Sequence, residues 1–357
     1  PLIIAGCMPR AEPDLVERLC PEASLLGPDS VDKIVEVVID TLQGRRVVDL
    51  GYHDGCREPP PRVRRNPVVG IVEISSGCLG ACTYCIVRYA RGRLRSRSLE
   101  FILEEVRQAL RDGCREIWLT SQDTACYGMD KGTDLPTLLT KVCGVEGDFY
   151  VRVGMMNPLH AKEILKELVE AFKDKKVFKF LHLPIQSASP RILELMRRGY
   201  GPEVPLRIIE EFRRVFPDLS LSTDVIVGFP TEEEDDFEET LSFLKRVEPD
   251  IVNVSRYGVR PGTPASKMEE LPRRVVKERC RVVVEVVREL SLKRNRRWIG
   301  WTGLCLVDER AVKGGGWMGR NFAYKPILDS PEPLLGKTVQ VRVVDAAHTY
   351  LRGEITS

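Results

Sequence analysis

From residue 68 onward, short apolar runs alternate with longer stretches whose apolar positions recur every three to four residues. The runs at 69–74, 116–120, 150–153, 178–183, 219–227 and 251–254 read as strands. Four of the stretches between them, 99–111, 161–172, 203–214 and 233–246, read as amphipathic helices. Thr231-x-x-Glu234 has the spacing of a capping box opening the last of these. Six β/α units predict an α/β fold with a parallel sheet curled into a full or partial barrel. In such a barrel chemistry sits at the C-terminal ends of the strands.

The pattern differs on either side. Residues 1–56 predict a small α/β piece: a strand ending at Gly6-Cys7, then helices at 13–19 and 31–42. The stretch Arg57-Glu58-Pro59-Pro60-Pro61-Arg62-Val63-Arg64-Arg65-Asn66-Pro67 is dense in proline and charge and predicts an extended linker. After Leu271-Pro272 one long helix runs to about residue 297. Beyond it, a glycine-rich tail with short alternating runs, such as Thr338-Val339-Gln340-Val341-Arg342-Val343, predicts a small antiparallel barrel. The expected division is 1–60, 68–270, 271–297 as a connecting helix, and 298–357.

Composition narrows the class. Among 357 residues, 43% are hydrophobic and 30% charged, ordinary values for a globular protein. No apolar run approaches the ~18 residues that span a bilayer, and no secretory signal is present. The chain starts at Pro1, inside what reads as a buried strand, so the expectation is that its N-terminus has been cut away. Eleven cysteines, an odd number without an export signal, point to a reducing cytoplasm with thiols free for metal work. Cys20, Cys114, Cys126, Cys143, Cys280 and Cys305 read as small buried hydrophobes. His53, His160, His182 and His348 are scattered, and His182 reads as a hydrogen-bonded core residue.

One cysteine group stands apart. In Gly77-Cys78-Leu79-Gly80-Ala81-Cys82-Thr83-Tyr84-Cys85 the spacing is C-x3-C-x2-C on a loop after the first barrel strand. Thiolates are the preferred ligands of iron–sulfur clusters. Three of them leave one iron of a [4Fe–4S] cubane open to chelate the amino and carboxylate groups of S-adenosylmethionine (SAM). Gly77 and Gly80 let the loop wrap a bulky core, and Tyr84 adds an aromatic wall. The plainer alternatives are a structural zinc site, which wants four ligands, or three unrelated core cysteines.

This loop, continued by Ile86-Val87-Arg88-Tyr89-Ala90-Arg91-Gly92, resembles the radical SAM methylthiotransferases. So do Glu116 through Thr124 with Tyr127-Gly128, Leu181-His182-Leu183-Pro184-Ile185-Gln186-Ser187, Thr223 through Pro230, and Arg260-Pro261-Gly262-Thr263-Pro264-Ala265. The Trp118-Leu119-Thr120-Ser121 and Tyr89-Ala90-Arg91-Gly92 variants resemble the archaeal and eukaryotic branch, which acts on threonylcarbamoyladenosine in tRNA. The resemblance implies methylthiolation at C2 of N6-threonylcarbamoyladenosine next to the anticodon. One SAM methylates sulfur and a second is cleaved to a 5′-deoxyadenosyl radical, with a reductant and a sulfur donor required. It also implies SAM contacts from Ser121, Gln122 and Asp123 after the second strand, from Gln186 and Ser187 after the fourth, and from Asp224 on the fifth. Gly228 is expected to allow close approach of the SAM adenine. For each, a local turn or core role is the alternative, as is a plain Pro-Gly turn for 260–263. Many relatives have glycine where this chain has Thr231.

The family also carries a second [4Fe–4S] cluster on three N-terminal cysteines. Gly6-Cys7-Met8-Pro9-Arg10 matches the third, so Cys7 is expected to be an orphaned ligand unless Cys20 and Cys56 converge on it, and the activity of this chain is then in doubt. Between Arg288 and Lys325 nine basic residues face three acidic ones, interleaved with Trp298, Trp301, Trp317, Phe322 and Tyr324. Basic charge with aromatics suits RNA. The tail resembles the TRAM domain, a small RNA-binding barrel, with Arg320 and Lys325 as candidate RNA contacts and Trp298 and Trp301 as core. The competing readings are methylthiolation of isopentenyladenosine or of a ribosomal-protein aspartate, an inactive RNA-binding remnant, and an unrelated radical SAM oxidase.

Overall fold

A computed structural model describes residues 1–53, 62–311, 316–328 and 333–356. Cys56, Lys313 and residues 57–61 of the expected linker lie outside them. The N-terminal unit carries β1 (Ile3–Ala5), α1 (Cys7–Ala11), α2 (Pro13–Leu19), β2 (Ser24–Leu26), α3 (Ile34–Leu42) and β3 (Val48–Asp49). Its strands form a parallel three-stranded sheet with β2 in the middle.

The centre is an open barrel of six parallel strands in sequence order. β4 (Val69–Glu73), β5 (Glu116–Thr120) and β6 (Tyr150–Val153) form one sheet, and β7 (Phe180–His182), β8 (Ser220–Val227) and β9 (Ile251–Arg256) another. The halves meet through a bridge from Val151 to Val177 and a bond from Met156 N–H to the His182 carbonyl, 2.9 Å. Period-two alternation places each strand. On β4, Gly70 and Val72 are buried, while Ile71 between them stays exposed. The helices α4 (Val87–Arg91), α5 (Leu99–Arg111), α6 (Leu135–Cys143), α7 (Leu165–Ala171), α8 (Pro190–Leu195), α9 (Glu203–Val215) and α10 (Glu234–Val247) join the strands. One main core of apolar side chains from strands and helices results, among them Val72, Ile102, Leu119, Val151, Leu168, Phe212 and Leu244.

Two local expectations are corrected. The single helix expected at 161–172 is broken into a helical turn Pro158–Ala161, a tighter turn Lys162–Ile164 and α7, because Ile164 leaves helical geometry at φ −114°. The capping box of α10 is made by Glu233 and Asp236, not Thr231 and Glu234. Thr231 sits at φ +63°, a conformation that favours glycine.

The long helix α11 (Arg273–Arg296) leads to a closed five-stranded barrel of β10 (Thr302–Arg310), β11 (Trp317–Arg320), β12 (Pro326–Leu328), β13 (Thr338–Ala346) and β14 (Leu351–Ile355). Trp298 is buried in its core, as expected, and Trp301 packs against it partly buried. The barrel docks against the N-terminal ends of the central strands. Tyr324 stands between Phe178 and Phe180, at 4.9 and 5.1 Å, and the Arg152 guanidinium lies over Trp118, Phe180 and Tyr324. Among the described residues no helix is long and apolar enough to cross a membrane.

Candidate active site

The site is built at the opposite, C-terminal end of the strands. After β4 the chain turns through Ser75-Ser76, paired with Arg95-Ser96, into the cysteine loop. Gly77 adopts φ +82°, and a Cβ there would collide with the Arg93 carbonyl at 2.0 Å. Its N–H donates to Gln122 Oε1 at 2.7 Å, tying the loop to the end of β5. Gly80 gives space: a Cβ would lie 3.3 Å from Cys78 Sγ and 3.8 Å from Cys82 Sγ. The other side of the loop is held by Thr83, which bonds the Leu195 and Met196 carbonyls and receives the Ala265 N–H. The Arg260–Ala265 turn thus braces the loop from β9.

Cys78, Cys82 and Cys85 are half-buried and in no disulfide. Burial pushes the Cys78 thiol up to about 11 and raises Cys85, so binding a metal must release protons. Their sulfurs do not gather within 4.8 Å of one another; among the described residues the group that does is Asp123, Cys126 and His160. Tetrahedral zinc with bonds of about 2.3 Å would bring sulfurs to roughly 3.8 Å. Three spread thiols on a glycine-cleared loop fit a cubane rather than a single ion.

The other candidates divide into two sets. Tyr84 meets Phe229 edge-on at 6.4 Å, and burial raises its phenol. Ser121 and Gln122 are half-buried, and Ser121 Oγ accepts the Asp123 N–H at 3.1 Å. Gln186, at φ +70°, bridges to Val225 of β8. Asp224 accepts from Asn253 at 2.6 Å and meets His182 Nε2 at 3.1 Å. Burial pushes its carboxyl up, but the His182 and Asn253 bonds outweigh this and hold it below the usual range.

The second set turns inward. Asp123 is 2% exposed. One of its oxygens accepts the Ala125 and Asn157 N–H groups, and the other meets His160 Nδ1 at 2.6 Å. Ser187 is buried against Thr240 and the Ser189 N–H. Gly228 does allow a close approach, but a Cβ there would meet Val276 of α11 at 2.6 Å, so helix packing takes up that space.

The candidate RNA contacts Lys325 and Arg320 also make internal ion pairs. Lys325 is 4% exposed, and its ammonium is spent on Asp250 and Asn295 at 2.7 and 2.6 Å. Arg320 pairs with Asp308 at 3.1 Å and with Glu309. Asn321 Oδ1 receives the Ala323 and Lys325 N–H groups and folds this loop under the central barrel. The sequence marks them as basic but not as facing inward, since their acidic partners Asp250 and Asp308 are distant in sequence or on the neighbouring strand. In the N-terminal unit Cys7 is exposed, and its sulfur receives the Arg91 Nε–H at 3.2 Å.

Arg198 was not legible in the sequence. It is 6% exposed and donates from Nη1 to Cys82 Sγ at 3.3 Å.

The comparisons agree with this geometry. A model of the radical SAM superfamily matches residues 72–244. The chain is 43% identical over 357 residues to a probable threonylcarbamoyladenosine tRNA methylthiotransferase of Pyrococcus horikoshii, covering 99% of this chain and 83% of that one. It is 41% identical to that of Archaeoglobus fulgidus, covering 100% and 83%. To the human threonylcarbamoyladenosine tRNA methylthiotransferase it is 35% identical, covering 100% and 62%. In fold it is similar to the radical SAM methyltransferase TsrM of Kitasatospora setae, with a TM-score of 0.57 at 15% identity over 74% of this chain and 57% of that one. The chain is an enzyme of the radical SAM superfamily and belongs to the threonylcarbamoyladenosine tRNA methylthiotransferase family.

Proposed function

We propose that this chain adds a methylthio group to C2 of N6-threonylcarbamoyladenosine beside the anticodon of tRNA. The observation that carries the reading is an intact, glycine-cleared three-cysteine loop in a chain aligned along 99% of its length with a relative of that name. Cys78, Cys82 and Cys85 are the ligands of a [4Fe–4S] cluster. When bound, that cluster supplies the electron for reductive cleavage of SAM. The chain's own residues orient and shelter. Gln122 fixes the start of the loop through Gly77, Tyr84 walls one side, and Ser121, Gln186 and Asp224 offer polar atoms to SAM at the strand ends. Cys7 belongs to a second [4Fe–4S] cluster, and a reductant and a sulfur donor complete the reaction.

The division at 1–60, 68–270, 271–297 and 298–357 assigns tRNA to the last two segments. With Lys325 and Arg320 turned inward, exposed Arg296, Arg297 and Arg342, with Phe322 at 38% exposure, are the cations and the stacking face for RNA. Modification of tRNA places the enzyme in the cytoplasm.

The test is one anaerobic incubation of the reconstituted chain with SAM, reductant, sulfide and threonylcarbamoylated tRNA, read by nucleoside mass spectrometry beside Cys78→Ala. Methylthio product formed only with Cys78 present is the expected result. Iron held normally with neither product nor 5′-deoxyadenosine would overturn the reading.

A further inference from the structure

The long helix α11 runs from the open end of the central barrel to the C-terminal barrel. At its start Val276 takes up the space beside Gly228, just past β8, and Arg279 pairs with Glu232. At its finish Arg294 reaches Asp250 and the Leu219 carbonyl, just ahead of β9 and β8. There Asn295 also donates to the Ala347 carbonyl of the C-terminal barrel at 2.8 Å. Between these points Val283 and Leu290 join Val252 and Val254 of β9 in the main core. β9 is the outer strand of its sheet, as β4 is of the other, so the barrel is open along this side. Ile71 of β4 and Ile251 of β9 are 48% and 40% exposed.

The outer face of α11 is cationic. Arg274, Lys277, Arg281, Val284 and Arg288 recur at spacings of three and four, so they share one face, and all five are exposed. Arg281 is held by Glu278 and Glu285 at 2.7 and 3.2 Å. Among the described residues no carboxylate pairs with Arg274, Lys277 or Arg288. From Arg274 to Arg288 this face covers about 21 Å of helix axis. The first turn holds Arg273 and Arg274 and no acidic residue, where α10 has Glu234, Asp235 and Asp236. A helix start is already positive and favours acids, so cations there gain from an anion laid against them. Exposed cations are common, but these stand in a line that joins the open end to the C-terminal barrel.

We infer that α11 is a track for the phosphate backbone of the tRNA, with Arg274, Lys277 and Arg288 each meeting a phosphate along the way. The inference rests on the tRNA reading above and adds where the RNA lies. The nucleotide to be modified has to reach the cysteine loop at the open end. The exposed Arg296 and Arg297 stand at the far end of the helix, and Phe322 packs against Trp298 just beyond it. An RNA that touches both places has to cross the length between them. Phosphates repeated along a strand suit cations repeated along a helix. Contacts of this kind position the RNA and read no base, so the track gives affinity and orientation rather than choice of sequence.

The test measures binding of fluorescently labelled, threonylcarbamoylated tRNA to the full chain over a salt series, with Tm taken on each protein. The proteins are wild type, Arg274→Gln, Lys277→Gln, Arg288→Gln and the triple variant, with Lys166→Gln on exposed α7 sequence as control. Each single change on α11 is expected to flatten the plot of log K against log salt by about 0.7–0.9, and the triple change by about 2–3, all at unchanged Tm. Lys166→Gln is expected to leave the plot as in wild type. A triple variant with the affinity and slope of wild type would overturn the inference, and so would an equal flattening from Lys166→Gln. Failure of the tRNA reading itself looks different: wild type then binds no tRNA at any salt, and no slope exists to compare.

Discussion

The central barrel buries an arginine near each of its two ends, and the two are neutralised differently. At the closed end Arg320 meets Asp308 and Glu309, with Glu116 of β5 close by. At the open end Arg198 meets five acceptors and, among the described residues, no carboxylate. The closed end is amply supplied with acid, and the rings of Tyr150, Phe178 and Tyr324 stack beside it. Such an end holds the C-terminal barrel in place. The open end leaves its arginine among neutral oxygens and a thiol. The difference separates a charge neutralised by carboxylates within the fold from one that the described carboxylates leave unpaired, which burial alone does not distinguish.

The largest effect that tests this contrast comes from Asp250. It is 3% exposed and receives Lys325, Arg294 and the Leu221 N–H. Burial pushes its carboxyl up, but the two cations outweigh that and hold it below the usual range. Asp250→Ala strands two buried cations and should cost roughly 3–5 kcal/mol in chemical unfolding. Adding Lys325→Met should recover part of the loss, because one of the stranded charges is gone. A loss under about 1 kcal/mol would mean that the closed end tolerates unpaired charge as the open end does.

Much of the fold was legible because it rests on local periodicity. The strands at Glu116–Thr120 and Tyr150–Val153 and the helix at Leu99–Arg111 lie where the apolar spacing puts them. The cysteine loop was legible because its chemistry is written in consecutive residues. The placements that local pattern did not show share a cause. Thr231 looked like a cap because Thr caps helices, but the cap is two residues on, where Asp236 also reaches Ser189 and Arg191. Lys325 and Arg320 looked solvated because basic residues near a helix end usually are. Their direction was set by Asp250, 75 residues away from Lys325 in the chain, and by the Asn321 turn. Arg198 had no local signal, since its importance lies in the absence of an acidic neighbour after folding.

A smaller effect tests the acid excess at the closed end. Burial, then the charge of Asp308, pushes Glu116 up to about 8, and burial pushes Asp308 up to about 6. Because the folded values lie above the unfolded ones near 4, the fold favours the protonated forms. The cost of ionising them is absent below about pH 4 and grows as pH rises towards 8. Wild type should therefore lose Tm between pH 5 and 8. Glu116→Gln, which keeps the shape without the charge, should flatten that loss and gain on the order of 2 °C at pH 8. An unchanged pH slope in E116Q would place the excess charge elsewhere.

The smallest effect is an expected absence of change in RNA binding. If the closed end is for docking, Lys325 touches no phosphate, and Lys325→Met should leave the dependence of tRNA affinity on salt as it is in wild type while lowering Tm. Exposed Arg296 and Arg297, at the end of α11, should behave in the opposite way. Each change to Ala is expected to flatten the plot of log K against log salt by about 0.7–0.9 for every phosphate that the arginine had neutralised, with no change in Tm. Measuring both quantities on the same three variants keeps stability and binding apart. A flatter salt plot for K325M at unchanged Tm would return Lys325 to the RNA surface and erase the contrast between the two ends.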